Sequence, residues 1–284
     1  MEIDGDVKPG FEPVADAFAG NFDALGELGA AVAVHHDGRL CVDLAAGRDP
    51  VRDRAFTRDT LMMVASCTKG ATATCVLMLA AAGVVELDEP IARLWPEFGQ
   101  SGKAEISLRW VLSHRAGLPY PDPEAALAGV DQLAGPALLR QLERQAPWWP
   151  PGTAFAYHPV MFGAILGEVV RRATGQTLGR WFAEHVAEPL GLDFWIGLPA
   201  ELDDRVAPSV WARGHDPRTE ELASPSMPGL GPASFGHTGA GGRLGLADPD
   251  VGIAFGYVCN SMRDIGPDGD PRWASLLGAL QHCI

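Results

Sequence analysis

The sequence predicts an α/β (α+β) fold, with an antiparallel sheet built from strands at the two ends of the chain, flanked by helices, and a mostly helical domain inserted between them. Three observations point to it. Alternating apolar runs broken by turn residues occur near the start and again near the end. The stretch between them carries helical spacing with Pro- and Gly-rich connections. At 284 residues and 47% hydrophobic, with 8 Trp and 11 Phe, the chain can bury a substantial core, which excludes disorder and a disulfide-dependent miniprotein.

In chain order, Phe11 to Leu25 has the spacing of a short amphipathic helix. A hairpin follows: Gly29 to His36, the turn pair Asp37-Gly38, then Arg39 to Leu44. Residues 47–60 are polar and Arg-rich and read as a loop. From Ser66 to Ala82 the pattern is a long, mostly apolar helix closed by Gly83, of the kind buried inside a domain. A helix is expected to begin after Ser107, its N-cap, and to stop near Gly117-Leu-Pro119. Others are expected over Pro136–Gln145, Val160–Thr174 and Leu178–His185, with the stiff Pro147–Gly152 loop ahead of Tyr157. Residues 207–233 lack periodicity and read as a long connection. Strand signals return over Ser234–Gly239, Gly242–Leu246 and Gly252–Asn260, and a helix over Pro271–Gln281 ends the chain. The expected division is a sheet domain from 1–83 and 231–284 around a helical domain at 84–230.

Asp and Glu outnumber Lys and Arg by 36 to 22, a net charge of −14, and no basic cluster exceeds Arg171-Arg172, so a nucleic-acid partner is not expected. Five scattered cysteines without CxxC spacing read as reduced thiols. The polar start MEIDGDVKPG has no apolar core of a signal peptide, and the apolar run at Cys75–Val85 is too short to span a bilayer. A cytoplasmic protein without a membrane partner is expected; its oligomeric state is not assigned. His35 and His36 point to opposite faces of a strand and cannot share a metal. His114 reads as a structural imidazole bonded to backbone near a helix end.

The chemistry concentrates at Ser66-Cys67-Thr68-Lys69. Positions i and i+3 share a helix face, so Ser66 Oγ and the Lys69 ammonium can meet. A lysine whose pKa is lowered by burial can take a serine proton, and the apolar runs on either side supply burial. The free N–H groups of a helix start favour a developing oxyanion. A capping serine followed by a surface lysine would spell the same letters, but a lysine inside so apolar a segment needs a partner. No GxSxG elbow, HExxH helix or P-loop is present.

Further segments extend the pattern: Trp110-Val-Leu-Ser-His-Arg-Ala-Gly-Leu118, Pro151-Gly-Thr-Ala-Phe-Ala-Tyr157-His158, Glu168 to Thr177, and Phe235-Gly-His-Thr-Gly-Ala-Gly-Gly242. With Ser66–Lys69 and in this order, they resemble the serine β-lactamase and penicillin-binding-protein superfamily, and within it the family VIII carboxylesterases. The resemblance implies a β-lactamase/transpeptidase-like fold and an acyl-enzyme on Ser66. It implies Lys69 and Tyr157 as general base and acid, and an oxyanion hole from the backbone of Ser66 and Ala240. His158, His237, Thr238 and Gly239 would line the substrate. No metal or organic cofactor is implied.

Three departures bear on substrate. Pro159 stands where an amide-bearing Asn belongs, and offers no donor to a peptide or β-lactam. His237 replaces the lysine of KTG, removing a fixed cation for a substrate carboxylate. The segment around 209–230 is shorter than the helical stretch the family carries there. The expected activity is therefore hydrolysis of small or medium acyl esters. A transacylase using the same acyl-enzyme, a β-lactamase or D-alanyl peptidase, and a non-catalytic hydrolase-fold binding protein are the alternatives.

Overall fold

The computed structural model describes residues 2–122, 135–212, 230–263 and 269–284. The chain divides into two compact units, Met1–Cys67 with Pro199–Ile284, and Thr68–Leu198.

The first unit holds the sheet. Its strands are β1 (Ile3–Val7), β2 (Gly29–His36), β3 (Arg39–Asp49), β4 (Arg54–Ala55), β5 (Val210–Trp211), β6 (Phe235–Gly239), β7 (Arg243–Asp248), β8 (Ile253–Cys259) and β9 (Ser261–Met262). The main sheet runs β1-β3-β2-β8-β7-β6 with every neighbouring pair antiparallel, and β4 pairs with the far end of β3. Strands β5 and β9 form a separate parallel pair. The two ends of the chain join where β2 meets β8, with Ala30 opposite Cys259 and Val34 opposite Phe255. Alternation puts Val32, Val34, Leu246, Phe255 and Tyr257 on one face. That face is covered by α1 (Glu12–Leu25) and α8 (Pro271–Leu280), through Val14 and Phe18 of the first and Trp273 and Leu276 of the second. Burying each such side chain contributes about 1.5–3 kcal/mol.

The second unit is helical: α2 (Thr68–Ala81), α3 (Leu108–Leu112), α4 (Pro136–Arg144), α5 (Met161–Thr174), α6 (Leu178–Phe182), a π-helical turn at Ala183–Ala187, and the single turn α7 (Glu188–Leu190). Ser107 caps α3, its side chain accepting from the Trp110 N–H. α5 buries Met161, Ile165, Leu166 and Val169 at helical spacing and stops at Gly175, which takes the left-handed conformation. α2 packs on α5 and α6.

Several sequence expectations need correction. Ile3–Val7 is a strand, although it reads as a polar, acidic stretch; it is the outermost strand beside β3 and buries little of its length. Residues 47–60 are not all loop, because β3 continues to Asp49 and folds back onto Arg54–Ala55. The dividing points fall at 67/68 and 198/199 instead of 83/84 and 230/231. α2 belongs with the helical unit because Cys75, Val76 and Leu79 are buried in its core. Residues 199–212 belong with the sheet unit, where Val206 bridges to Leu61 and β5 pairs with β9. Most of the expected 207–233 connection, residues 213–229, lies outside the described residues.

Candidate active site

In the sheet unit Ser66 sits in a 3-10 turn, Ala65–Cys67, that runs directly into α2 at Thr68. Ala65, just before it, has φ +47°, a left-handed conformation that costs a non-glycine residue about 1–2 kcal/mol. The turn is closed by the Cys67 N–H donating to the Val64 carbonyl at 3.2 Å. The Cys67 thiol donates to the His237 carbonyl on β6, also at 3.2 Å. Gly239 presses on the same turn: a Cβ there would collide with the Val64 carbonyl oxygen and lie 3.2 Å from Cys67 Sγ. Ser66's turn and the His237-Thr238-Gly239 strand are thus joined through backbone and one thiol. His237 and Thr238 are half-buried, and the His237 Nδ1 lies 2.6 Å from the Thr238 carbonyl, to which it donates. Ala240 is exposed in the turn linking β6 to β7, which the Gly242 N–H closes by donating to the Gly239 carbonyl at 3.1 Å.

Two fully buried arginines stand behind this turn, and neither was evident from the sequence. Arg243 donates to the Ala240 carbonyl and, at 2.5 Å, to Ser209 Oγ. Arg272 donates to the carbonyls of Gly241 (2.9 Å) and Ser261 (2.6 Å) and pairs with Asp270 (2.6 Å) and Glu27 (3.1 Å). Burial, and then neighbouring Arg272, hold the Arg243 guanidinium below its usual value. For Arg272 burial acts in the same direction, but the Asp270 hydrogen bond and the surrounding anionic groups outweigh it and raise the pKa.

In the helical unit Lys69 lies in the first turn of α2 and is only 8% exposed. Its Nζ donates to the Pro159 carbonyl at 2.9 Å and stands 4.7 Å from the centroid of the Tyr157 ring and 5.9 Å from that of Phe162. Pro159, which has no N–H to offer, thus uses its carbonyl to hold the lysine. Tyr157 is half-buried, and its ring lies 4.9 Å from the His114 ring. His158 is fully buried: its Nδ1 donates to the Ala156 carbonyl at 2.6 Å and its Nε2 accepts from the Leu118 N–H at 3.3 Å. Direct substrate contact, expected of His158, does not fit a ring with both nitrogens engaged and no surface. His158 ties the loop that carries Tyr157 to the Leu118 backbone. Burial lowers the His158 pKa, keeping the ring neutral as this bonding requires. His114, half-buried and at φ +58°, accepts the His158 backbone N–H on Nδ1 at 3.2 Å.

The sequence reading passed over Cys67, Ala65, Arg243 and Arg272. A signal for the arginines exists in Gly241-Gly242-Arg243, since a Cβ at Gly242 (φ +106°) would collide with the Arg272 guanidinium and the Asp270 carboxylate. Among the described residues no group of three or more His, Cys, Asp and Glu could hold a metal ion, and no helix is long and apolar enough to cross a membrane.

Comparison with known proteins gives the family. The Beta-lactamase family pattern covers residues 15–234. Esterase/beta-lactamase LipL of Mycobacterium tuberculosis is 36% identical over 212 residues, 72% of this chain and 47% of LipL. Esterase EstB of Burkholderia gladioli is 33% identical over 181 residues, 58% of this chain and 46% of EstB. Acyltransferase calJ of Penicillium decumbens is 32% identical over 168 residues, 51% of this chain and 38% of calJ. The chain thus spans about half the length of LipL and of EstB. The crystal structure of a family VIII carboxylesterase superposes with a TM-score of 0.90 at 31% identity, covering 100% of both chains. A penicillin-binding protein homolog from Caulobacter crescentus gives 0.86 at 27%, again over 100% of both. The chain belongs to the serine β-lactamase and penicillin-binding-protein superfamily, on the branch of the family VIII carboxylesterases.

Proposed function

We propose that the protein is a serine hydrolase that cleaves esters of small or medium acyl groups through an acyl-enzyme on Ser66. The observation that carries this reading is Lys69, a buried amine in the first turn of α2, held by the Pro159 carbonyl over the Tyr157 ring. That placement favours a proton-handling role over a surface charge. Ser66 Oγ bonds to the ester carbonyl carbon and gives its proton to the Lys69–Tyr157 pair. The carbonyl electrons move to oxygen, where the N–H groups of Ser66 and Ala240 receive them. The carbon–alkoxy bond then breaks and the departing oxygen takes the proton. Water repeats the sequence on the acyl-enzyme and releases a carboxylic acid, so the balance closes with the chain's own groups and water.

His237, Thr238 and Gly239 would border the substrate, with no fixed cation to favour a carboxylate. Large apolar side chains close in sequence to the motifs are exposed: Met63 (61%), Phe155 (66%) and Phe235 (64%). They support an apolar acyl or alcohol group. The similarity to an acyltransferase favours one second reading, capture of the same acyl-enzyme by an alcohol or amine.

Intact-mass analysis after a fluorophosphonate probe, with turnover of p-nitrophenyl acetate and butyrate, tests the proposal. A single adduct on wild type and none on Ser66→Ala, with ester turnover, is the expected result. Labelling without turnover until an alcohol is added would favour acyl transfer. No adduct and no turnover would refute the enzymatic reading.

A further inference from the structure

Arg243 is a guanidinium with no exposed surface, and among the described residues no carboxylate pairs with it. A buried cation held only by neutral acceptors is costly, and an apolar side chain of similar length would pack there at lower cost. Stability therefore gives no reason for an arginine at this position, whereas its contacts do. Two successive carbonyls of the β6–β7 turn are each held by a buried arginine, Ala240 by Arg243 and Gly241 by Arg272. The Cys259 thiol adds a weak contact to the Gly241 carbonyl at 3.6 Å. Peptide planes are rigid, so fixing two successive carbonyls fixes the planes 240–241 and 241–242. The plane before them, which carries the Ala240 N–H, is held by the Gly242 N–H on the Gly239 carbonyl at 3.1 Å, so the arginines fix the backbone on the other side of the Ala240 Cα. Ala240 is exposed, yet its backbone is clamped from behind.

We propose that Arg243, backed by Arg272, is a positioning residue that holds the Ala240 N–H in line for the oxyanion. This rests on the reading of Ala240 as an oxyanion-hole donor. Arg243 touches no substrate; it acts through the Ala240 carbonyl. Ser209 anchors the far side of the guanidinium, so the short strand pair β5–β9 supports the same device.

The test compares wild type, Arg243→Met and Arg243→Lys by kcat and KM on p-nitrophenyl butyrate. Thermal midpoints and affinity for a trifluoromethyl ketone, which forms a tetrahedral adduct on a nucleophilic serine, are measured in parallel. For R243M we expect kcat to fall about 10- to 100-fold with KM within about threefold, because misplacing a donor harms the transition state and not ground-state binding. Ketone affinity falls by the same factor, and R243K regains part of both. Wild-type kcat in folded R243M overturns the proposal, as does a loss that follows the thermal midpoint and moves KM equally. Should R243M not fold, R243K decides: reduced kcat at unchanged KM supports the clamp, and wild-type kcat refutes it. If wild type itself is not acylated on Ser66, the catalytic reading fails and the clamp falls with it. If wild type is acylated and the variants match it, the clamp alone fails.

Discussion

His158 shows how a single buried ring sets conditions for its neighbours. Its Nε2 accepts from the Leu118 N–H only while neutral, and burial holds its pKa below the usual histidine value. Between that lowered pKa and about 6.5 the unfolded chain binds the extra proton and the folded chain does not. The contribution is therefore complete above about pH 6.5 and is lost as pH falls toward the folded value. Urea denaturation across pH 5–8 should show a fall on the acid side that His158→Gln flattens. Thiols offer a second check at this scale. Burial pushes Cys75 up to about 11 and Cys259 up to about 12, so iodoacetamide on the native protein at pH 8 should leave both unmodified, as counted by peptide mass. The proposed site residues stand out in the sequence because the chemistry they would perform dictates their spacing: Ser66 and Lys69 lie three apart, and Tyr157 closes a recognisable loop. The residues that hold them do not. Arg243 and Arg272 meet carbonyls of a turn that only the glycine pair Gly241-Gly242 hints at, and His158 looks like any polar residue beside Tyr157.

At the level of elements, helices and central strands announced themselves by periodicity, while pieces whose side chains bury little did not. β1 shows half-buried residues only at its two ends, so its place depends on the backbone ladder to β3 and not on an apolar pattern. The boundary at α2 was misplaced for a related reason: a helix apolar on most sides gives no hint of which core it joins. Lys103 shows how segments are tied where apolar packing stops. It is fully buried and donates to the carbonyls of Gln100 (2.8 Å), Glu143 (3.2 Å) and Gln145 (2.5 Å), joining the loop before α3 to the end of α4. Lys103→Ala leaves three carbonyls without that donor and should lower unfolding free energy by about 2–4 kcal/mol, read by denaturant titration.

On the scale of the whole molecule, the sheet unit is assembled from the two ends of the sequence, and its core depends on α8. A chain ending at Met262 lacks Trp273 and Leu276 as well as Arg272, whose charge offsets buried Glu27. Such a truncation should lose cooperative unfolding by circular dichroism, with Tyr257 and the β2–β8 seam exposed. The antiparallel sheet with a helical insert was legible in outline because each end carries its own strand alternation. The order β1-β3-β2-β8-β7-β6 was not, since strand neighbours so distant in sequence leave no local trace.

That seam also bears on how the protein is made. β2 and β3 leave the ribosome early, but the open edge of β2 finds its partner only when β8 has been synthesised, after the entire helical unit. During that interval an apolar strand, Gly-Ala-Ala-Val-Ala-Val, presents unpaired backbone to the cell. The helical unit, contiguous in sequence, can complete itself first, and the sheet waits on the last strands to emerge. Expression yield should therefore depend on chaperone supply and growth temperature more steeply than the stability of the finished fold would suggest.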